Sequence, residues 1–513
     1  MSRKFKFILI GLAISMLVGP GAWAYSLGEL ANEFAIDDAA GLIVNPDGRG
    51  DALIFPYYDV RNVGGKGQTS LFMIINESAT GGGQEGGTGD GETTGIIARV
   101  GFREWDKSIE VLDFHIYLST YDVWIGQVTL NGNVGNIKSP DFVVVGVYDP
   151  TNTAVTTPST GVAYYLNKPF ATTGQNFTTL NINYTPPAGV TKEQLTQMGY
   201  IEVIGEEAVA IKPTAKTGTT MDTGQPYTHY VKFTDLDCPN NMMGSLYVLR
   251  ISDGVSMAYN ATALANFSRN QGSLFRGLGE DFPTLENAED TLDQVEFALS
   301  KEDIFGAYDI ETAIGATSSL LVMFPTKHFH YNNQASGCRT LIVGSNNPFE
   351  AACENGGEEI GVQIFDRNEN VITIQEGFIS PQPPIPSVAL PYEVNIIGFY
   401  PGTTAPPTVG GSFFGAGRDN IAFPVSTFDS GWVWLTFSGK GAVPVLIPFY
   451  QFFGRTFDGY DGLPSLALQI QEFFNGAAGG YYGDIVPSWY EVEWFPEEDG
   501  QIFVTGTGSK KGD

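Results

Sequence analysis

Three oxygen-rich loops are the nearest thing to a reactive or ligating constellation in this chain. Asp235, Asp237, Asn240 and Asn241 surround Cys238-Pro239, Asp458 and Asp461 enclose Gly459-Tyr460, and Asp47 and Asp51 flank Gly48-Arg49-Gly50. Spaced carboxylates on a glycine-containing backbone suit Ca²⁺, which takes six or more oxygens in a flexible cage. Asp235, Asp237, Asp458 and Asp461 are therefore the candidate metal ligands, and Ca²⁺ the candidate ion. None of the loops matches an EF-hand or a Ca²⁺-binding nonapeptide repeat, so solvated turns are the competing reading.

His328 and His330 stand at i and i+2. On a strand both rings would project to one face and begin a metal site. The alternative is a polar, exposed strand end beside Lys327. His115 and His229 are isolated and read as structural. Aromatic residues form 13% of the chain, enough to supply stacking surfaces for sugars or subunit contacts as well as a core. Tyr481, Tyr482, Trp489 and Tyr490 lie in a Gly-rich stretch and are the candidate ligand-binding rings. No Gly-x-Ser-x-Gly, His-Glu-x-x-His, P-loop or Gly-x-Gly-x-x-Gly stands in a fitting context. Glycoside hydrolysis needs only two acids placed by the fold, and in so acidic a chain acid pairs carry no signal.

The elements that would hold these groups read as strands. Ala52–Tyr58, Ser70–Asn76, Ile96–Trp105, Glu110–Leu118, Phe142–Tyr148 and Val162–Leu166 are short runs of β-branched and aromatic residues separated by turns. Ala79 to Thr94 is a Gly-rich acidic loop too polar to pack. Helical spacing appears in Leu27–Ala35 behind a Ser26/Glu29 capping box, in Thr191–Gly199, and most clearly in Thr284–Ser300. There Leu285, Ala288, Leu292, Val295 and Leu299 share a face. A further short helix is expected at Ser465–Phe474. Leu320–Pro325 echoes Ala52–Pro56, and Ile360–Arg367 echoes Ile97–Arg103, in the same order. Gly431–Phe437 alternates bulky residues, with both faces expected to be covered.

The expected fold is mainly β, two tandem β-sandwich (Ig-like) domains with a few short helices. Its parts are a signal peptide (1–24), an N-terminal segment with a short helix (25–50), a first β-sandwich domain (51–283), a helical connector (284–316) and a second β-sandwich domain (317–513). The signal peptide is read from Arg3, Lys4 and Lys6, the apolar run Phe7–Val18, the break Gly19-Pro20-Gly21 and Ala22-Trp23-Ala24. Its removal takes three positive charges and moves the net charge from −30 to −33. A chain so acidic repels nucleic acid and anionic lipid. No later run suits a transmembrane span. Polar, charged Ser509–Asp513 and the internal helices argue against an outer-membrane barrel. In an oxidising compartment Cys338 and Cys353, flanking one Gly- and Asn-containing loop, are the expected disulfide, leaving Cys238 over.

Gly50–Tyr58 together with Glu110–Trp124 resembles a pattern in exported proteins of Gram-negative bacteria to which no activity is attached, and Phe324–His330 is similar to a block of the same group. The resemblance covers about half the chain in scattered blocks. It implies an exported location and β architecture and transfers no catalytic residues. The insert Gly81–Thr94 departs from it. These readings together point to a non-catalytic exported protein of the cell surface or medium. It would be structural or adhesive, self-associating or bound to a surface glycan. A carbohydrate-binding or polysaccharide-active protein is the alternative.

Overall fold

The computed structural model describes residues 42–77, 93–119, 121–148, 162–169, 173–211, 227–233, 238–252, 255–268, 274, 283–286, 289–301, 303–309, 317–331, 349, 358–368, 371–372, 387–400, 421–424, 430–437, 451–452, 455–456, 462–475, 480–482, 491–493 and 503–505. The signal segment, the Leu27–Ala35 helix and the Cys338–Cys353 pair lie outside the described residues. So do Asp235, Asp237, Asp458, Asp461, Trp489 and Tyr490.

The chain is mainly β, built of antiparallel sheets with few helices. In chain order the principal strands of the first region are β1 (Ala52–Asp59), β2 (Thr69–Asn76), β3 (Thr93–Glu104), β4 (Glu110–Leu118), β5 (Val123–Asn131), β6 (Val134–Lys138), β7 (Phe142–Tyr148), β8 (Val162–Pro169), β9 (Met198–Ile211), β10 (Tyr227–Phe233), β11 (Met242–Arg250) and β12 (Val255–Asn260). A nine-stranded sheet runs from Ile43–Val44 and Thr262–Ala265 through β1, β9, β10, β8, β7 and β4 to β3. Strand β3 also pairs with β9, so β9, β10, β8, β7, β4 and β3 close into a ring. A six-stranded sheet runs from Gln175–Asn176 through β6, β5, β2 and β11 to β12.

These two sheets are held face to face by rings. Phe72 of β2 meets Phe55 of β1 at 5.9 Å and Phe102 of β3 at 5.7 Å, and Phe114 of β4 meets Trp124 of β5 at 5.4 Å. Period-two alternation puts Phe72 and Ile74 inward and Leu71, Met73 and Ile75 outward. Gly126 sits directly across from Phe72, and Gly244 lies under Phe55; each leaves room for a ring that any β-carbon would strike.

The second region uses β13 (Asp303–Asp309), β14 (Thr317–Met323), β15 (Glu358–Asp366), β16 (Val394–Tyr400), β17 (Ser430–Thr436) and β18 (Leu466–Asn475). One five-stranded sheet contains β13, β17 and β15. The other runs from Ile421–Pro424 through β16, β14 and β18 to Gly480–Tyr482. Its middle strands are shared between two cores. Leu321, Met323, Ile396, Leu466 and Leu468 join the core of the first region, whereas Leu320, Val322, Ile397 and Phe399 join that of the second. The echo between Ala52–Pro56 and Leu320–Pro325 thus has a physical meaning: both runs are buried on two faces, and a strand covered on both sides is apolar throughout. Pro56 is accommodated because the β1–β9 register slips between Tyr58 and Phe55.

The helices are shorter than their sequence pattern. Helix α1 (Lys192–Leu195) starts at Thr191, whose hydroxyl accepts from Gln194 N–H while Gln194 reaches back. Helix α2 (Glu289–Leu299) buries Leu292, Val295 and Leu299. The helix expected at Ser465–Phe474 is instead β18. Seven successive residues paired in register with β14 outweigh the apolar content that suggests a helix. In the Gly431–Phe437 run Val433, Leu435 and Phe437 are buried, and Trp432 and Trp434 are partly buried on the other face.

Gly244→Val should lower stability by roughly 1–3 kcal/mol through overpacking against Phe55. Gly244→Val with Phe55→Leu should recover part of that loss, as read from urea midpoints.

Candidate functional site

The side chains with the chemistry of a site gather on one face of β3, β4 and β9. Residues directly opposite on neighbouring strands share a face, and the registers give successive rows: Tyr200, Arg103 and Glu110; Glu202, Gly101 and Asp113; Ile204, Arg99 and His115; Glu207, Ile97 and Tyr117. The intervening residues Ala98, Val100, Phe102, Val203 and Ile201 point into the apolar core. One strand surface is thus a hydrocarbon layer and the reverse surface is ionic.

Both arginines are engaged. Arg103 donates from Nε to Glu202 at 2.8 Å and from Nη1 to the Ser108 carbonyl at 3.0 Å. Arg99 donates to Glu110 at 2.6 Å, to Asp113 at 3.2 Å and to the Pro283 carbonyl at 2.7 Å. Between Gly205 and Glu207 the β9–β3 register shifts, and the extra residue, Glu206, reaches Nδ1 of His115 at 2.8 Å. A bulge of this kind re-aims a side chain without breaking the sheet. Arg99, Arg103, Glu202, Glu206 and His115 are all buried. The segments that cover them come from elsewhere: Pro283 closes over Arg99, Leu274 N–H bonds the Glu206 carbonyl, and Val394 N–H bonds the Trp105 carbonyl while Tyr392 packs edge-on to Trp105.

Burial decides the ionisation here. It pushes the Glu206 carboxyl up, with His115 pulling partly back, and pushes Glu110 up against the pull of Arg103 and Arg99. For Arg103 burial works against the charge, but Glu202, Tyr200 and Glu110 more than offset it and hold the guanidinium above its ordinary range. At the end of β3, Glu104 caps a tight turn in which Ser108 adopts positive φ. Its carboxylate accepts from the N–H groups of Asp106, Lys107 and Ile109 and from the Tyr184 hydroxyl. Burial, then the neighbouring Asp106, push it up to about 8.

The sequence-derived candidates fall differently. Asp51 does not face a cation loop. It is buried and accepts from Phe267 N–H, Ser268 N–H and the Ser268 hydroxyl, and burial pushes its carboxyl up to about 6. Asn240 pairs with Asn266, and Cys238 is buried beside Ser268 and Gly205. His328 and His330 do not stand on a strand. A 3₁₀ turn, Lys327–Phe329, carries them inward, where His330 meets Glu296 of α2 at 2.6 Å and Lys327 meets Glu358 at 3.3 Å. Buried acids on two other elements meet Lys327 and His330, and both histidines are buried rather than standing at an exposed strand end. Tyr481 and Tyr482 lie on the Gly480–Tyr482 strand paired with Phe474 and Phe473. Among the described residues no group of three or more His, Cys, Asp or Glu side chains is placed to hold a metal ion. Comparison with protein-family models, curated proteins and solved structures found no match to the chain.

What this arrangement does chemically is neutralise charge inside a layered protein. Arg103→Met should cost roughly 3–5 kcal/mol, because it leaves Glu202 buried and unpaired. Arg103→Met with Glu202→Met should regain most of it, as measured by urea unfolding. Glu104 supplies a pH test. Its folded carboxyl holds a proton up to about pH 8, whereas its ordinary value is 4.5. The native state therefore carries the extra proton across that window, and stability falls as pH rises through it. Glu104→Gln keeps Oε1 as an acceptor and removes the titration. Urea midpoints at pH 5 and pH 8 should differ less in the variant than in the wild type.

Proposed function

We propose that this chain is a non-catalytic exported structural protein that serves at the cell surface or outside the cell by association and adhesion. The observation that carries the reading is the use made of its ionisable groups. Arg99, Arg103, Glu202, Glu206 and His115 are spent on joining strands and covering segments within the sheet stack. A protein built this way resists shearing between its layers, because sliding would uncover buried charge. The signal-like first residues, the acidic composition and the resemblance to exported Gram-negative proteins support placement outside the cytoplasm. No described helix is long and apolar enough to cross a membrane.

A second reading, binding of a surface glycan, draws on the outer face of the β13–β17–β15 sheet. Trp432 stacks on Phe365 at 3.8 Å and Trp434 on Phe305 at 5.9 Å, and the Trp434 indole donates to Asp303 at 2.7 Å. Partly exposed rings beside a carboxylate and Gln363 are groups that engage sugars. The stacked rings spend much of their flat surface on one another, so this reading stands second.

Fractionation of the producing cells, with protease treatment of intact cells, tests the leading proposal. The protein should appear in the surface or medium fraction and be cleaved without lysis. Retention in the cytosol would overturn it. Glycan-array binding lost on Trp434→Ala would instead move the second reading ahead.

A further inference from the structure

The six-stranded sheet has an outer face that the ring contacts and the ionic network leave unused. Its outward positions on β2, β5, β11 and β12 alternate with core residues and are partly exposed. The registers align them in rows: Val123, Ile75 and Met243; Ile125, Met73 and Ser245; Gln127, Leu71 and Tyr247. Val123 is 38% exposed. The remaining outward positions on these four strands are Thr69, Thr129, Asn131, Leu249, Ser256, Ala258 and Asn260, so none is charged. Roughly a quarter to a third of an ordinary soluble surface is Lys, Arg, Glu or Asp. This chain carries 27 basic and 57 acidic residues for a net charge of −30. Four adjacent strands without a charge on their outer face are therefore a departure that composition does not supply.

We propose that this face is a self-association surface, paired with the same face of a second copy. The proposal rests on the reading of the chain as a structural, associating protein and names its partner. Charge selects that partner. A basic protein would be drawn to the acid-rich remainder of the surface. Two copies, each at −30, repel wherever their acids face one another, and the uncharged sheet is where they can meet without that cost. The same patch facing itself makes a closed two-fold contact. Lys138, exposed on β6 across from Gln127, and Asn260 on β12 give the apolar centre a polar rim, the usual anatomy of an interface.

Size supports the same occupant. Four strands about 4.8 Å apart and four rows about 6.8 Å apart cover roughly 500 Å². Two such faces bury about 1,000 Å², the lower bound of a specific interface. The contact should therefore be micromolar rather than nanomolar, and should tighten with salt as repulsion is screened.

Sedimentation velocity on the purified full chain between 1 and 200 µM, in low and high salt, tests this. The expected result is a reversible dimer, strengthened in 0.5 M NaCl and weakened at least tenfold by Met73→Glu or Tyr247→Glu. Both side chains point outward, and circular dichroism should show an unchanged fold. Ser245→Thr, a small neutral change on the same face, should leave the dimer within about threefold of wild type. A wild-type monomer at 200 µM in high salt would overturn the proposal, as would a dimer indifferent to both glutamates in folded protein. Surface fractionation is read separately, so an exported protein with an indifferent dimer would sink this interface and leave the structural reading standing.

Discussion

Arg103 and Glu202 meet at 2.8 Å with almost no water on either side chain, and the layered build depends on contacts of this kind. A sheet with one apolar and one polar face normally leaves the polar face in water. Here Arg99, Arg103, Glu202, Glu206 and His115 are buried, and Pro283, Leu274 and Val394 bond to Arg99, Glu206 and Trp105. Covering a carboxylate or a guanidinium without its partner would cost several kcal/mol. Arginines at alternate positions of β3 therefore have to find acids at matching positions of β4 and β9. The register of three strands is tied to charge pairing as firmly as to hydrophobic alternation, since a slip of one residue would expose the core face and strand the ions together.

The same constraint explains the helices and the histidines. Helix α2 brings Leu292, Val295 and Leu299 to the core on one side and Glu296 to His330 on another. The 3₁₀ turn at Lys327 is pulled inward by Glu296 and Glu358. Polar residues here do the work of fastening one element to the next, and apolar residues fill the layers between.

Much of this architecture was legible in the residues. Strands such as Glu110–Leu118 and Phe142–Tyr148 lie where their β-branched and aromatic runs put them, and the two-faced burial of β1 and β14 shows in their unbroken apolar stretches. The reading failed where period two and period 3.6 compete over a short apolar run. In β18, Leu466, Leu468 and Ile470 alternate as a strand requires, yet their neighbours Ala467 and Gln469 are also buried, which blurs the alternation. The ionic face was not anticipated. Its trace is present in Arg99-x-Gly-x-Arg103, in Asp113-x-His115 and in Glu202 with Glu206, charges spaced along strands whose other positions are apolar. What linear order cannot supply is the pairing of β9 with β3 across a hundred residues, or the bulge that turns Glu206 toward His115. The Asp51 carboxylate looks like a loop oxygen in linear order for the same reason: its partners, Phe267 and Ser268, lie 216 and 217 positions away.

Strand β9 is flanked on both sides over most of its length, by β1 and β3 up to Ile204 and by β3 and β10 over Val209–Ile211. During synthesis β1 and β3 must therefore wait, unpaired on that side, until the chain has grown past Ile211. The β3–β4 hairpin can close early from local contacts, but the central seam is a late, long-range event with a large loop-closure entropy. A chain whose seam strand follows its partners by so long an interval holds their edges open throughout that stretch of synthesis, and an open strand edge is a template for pairing with another chain.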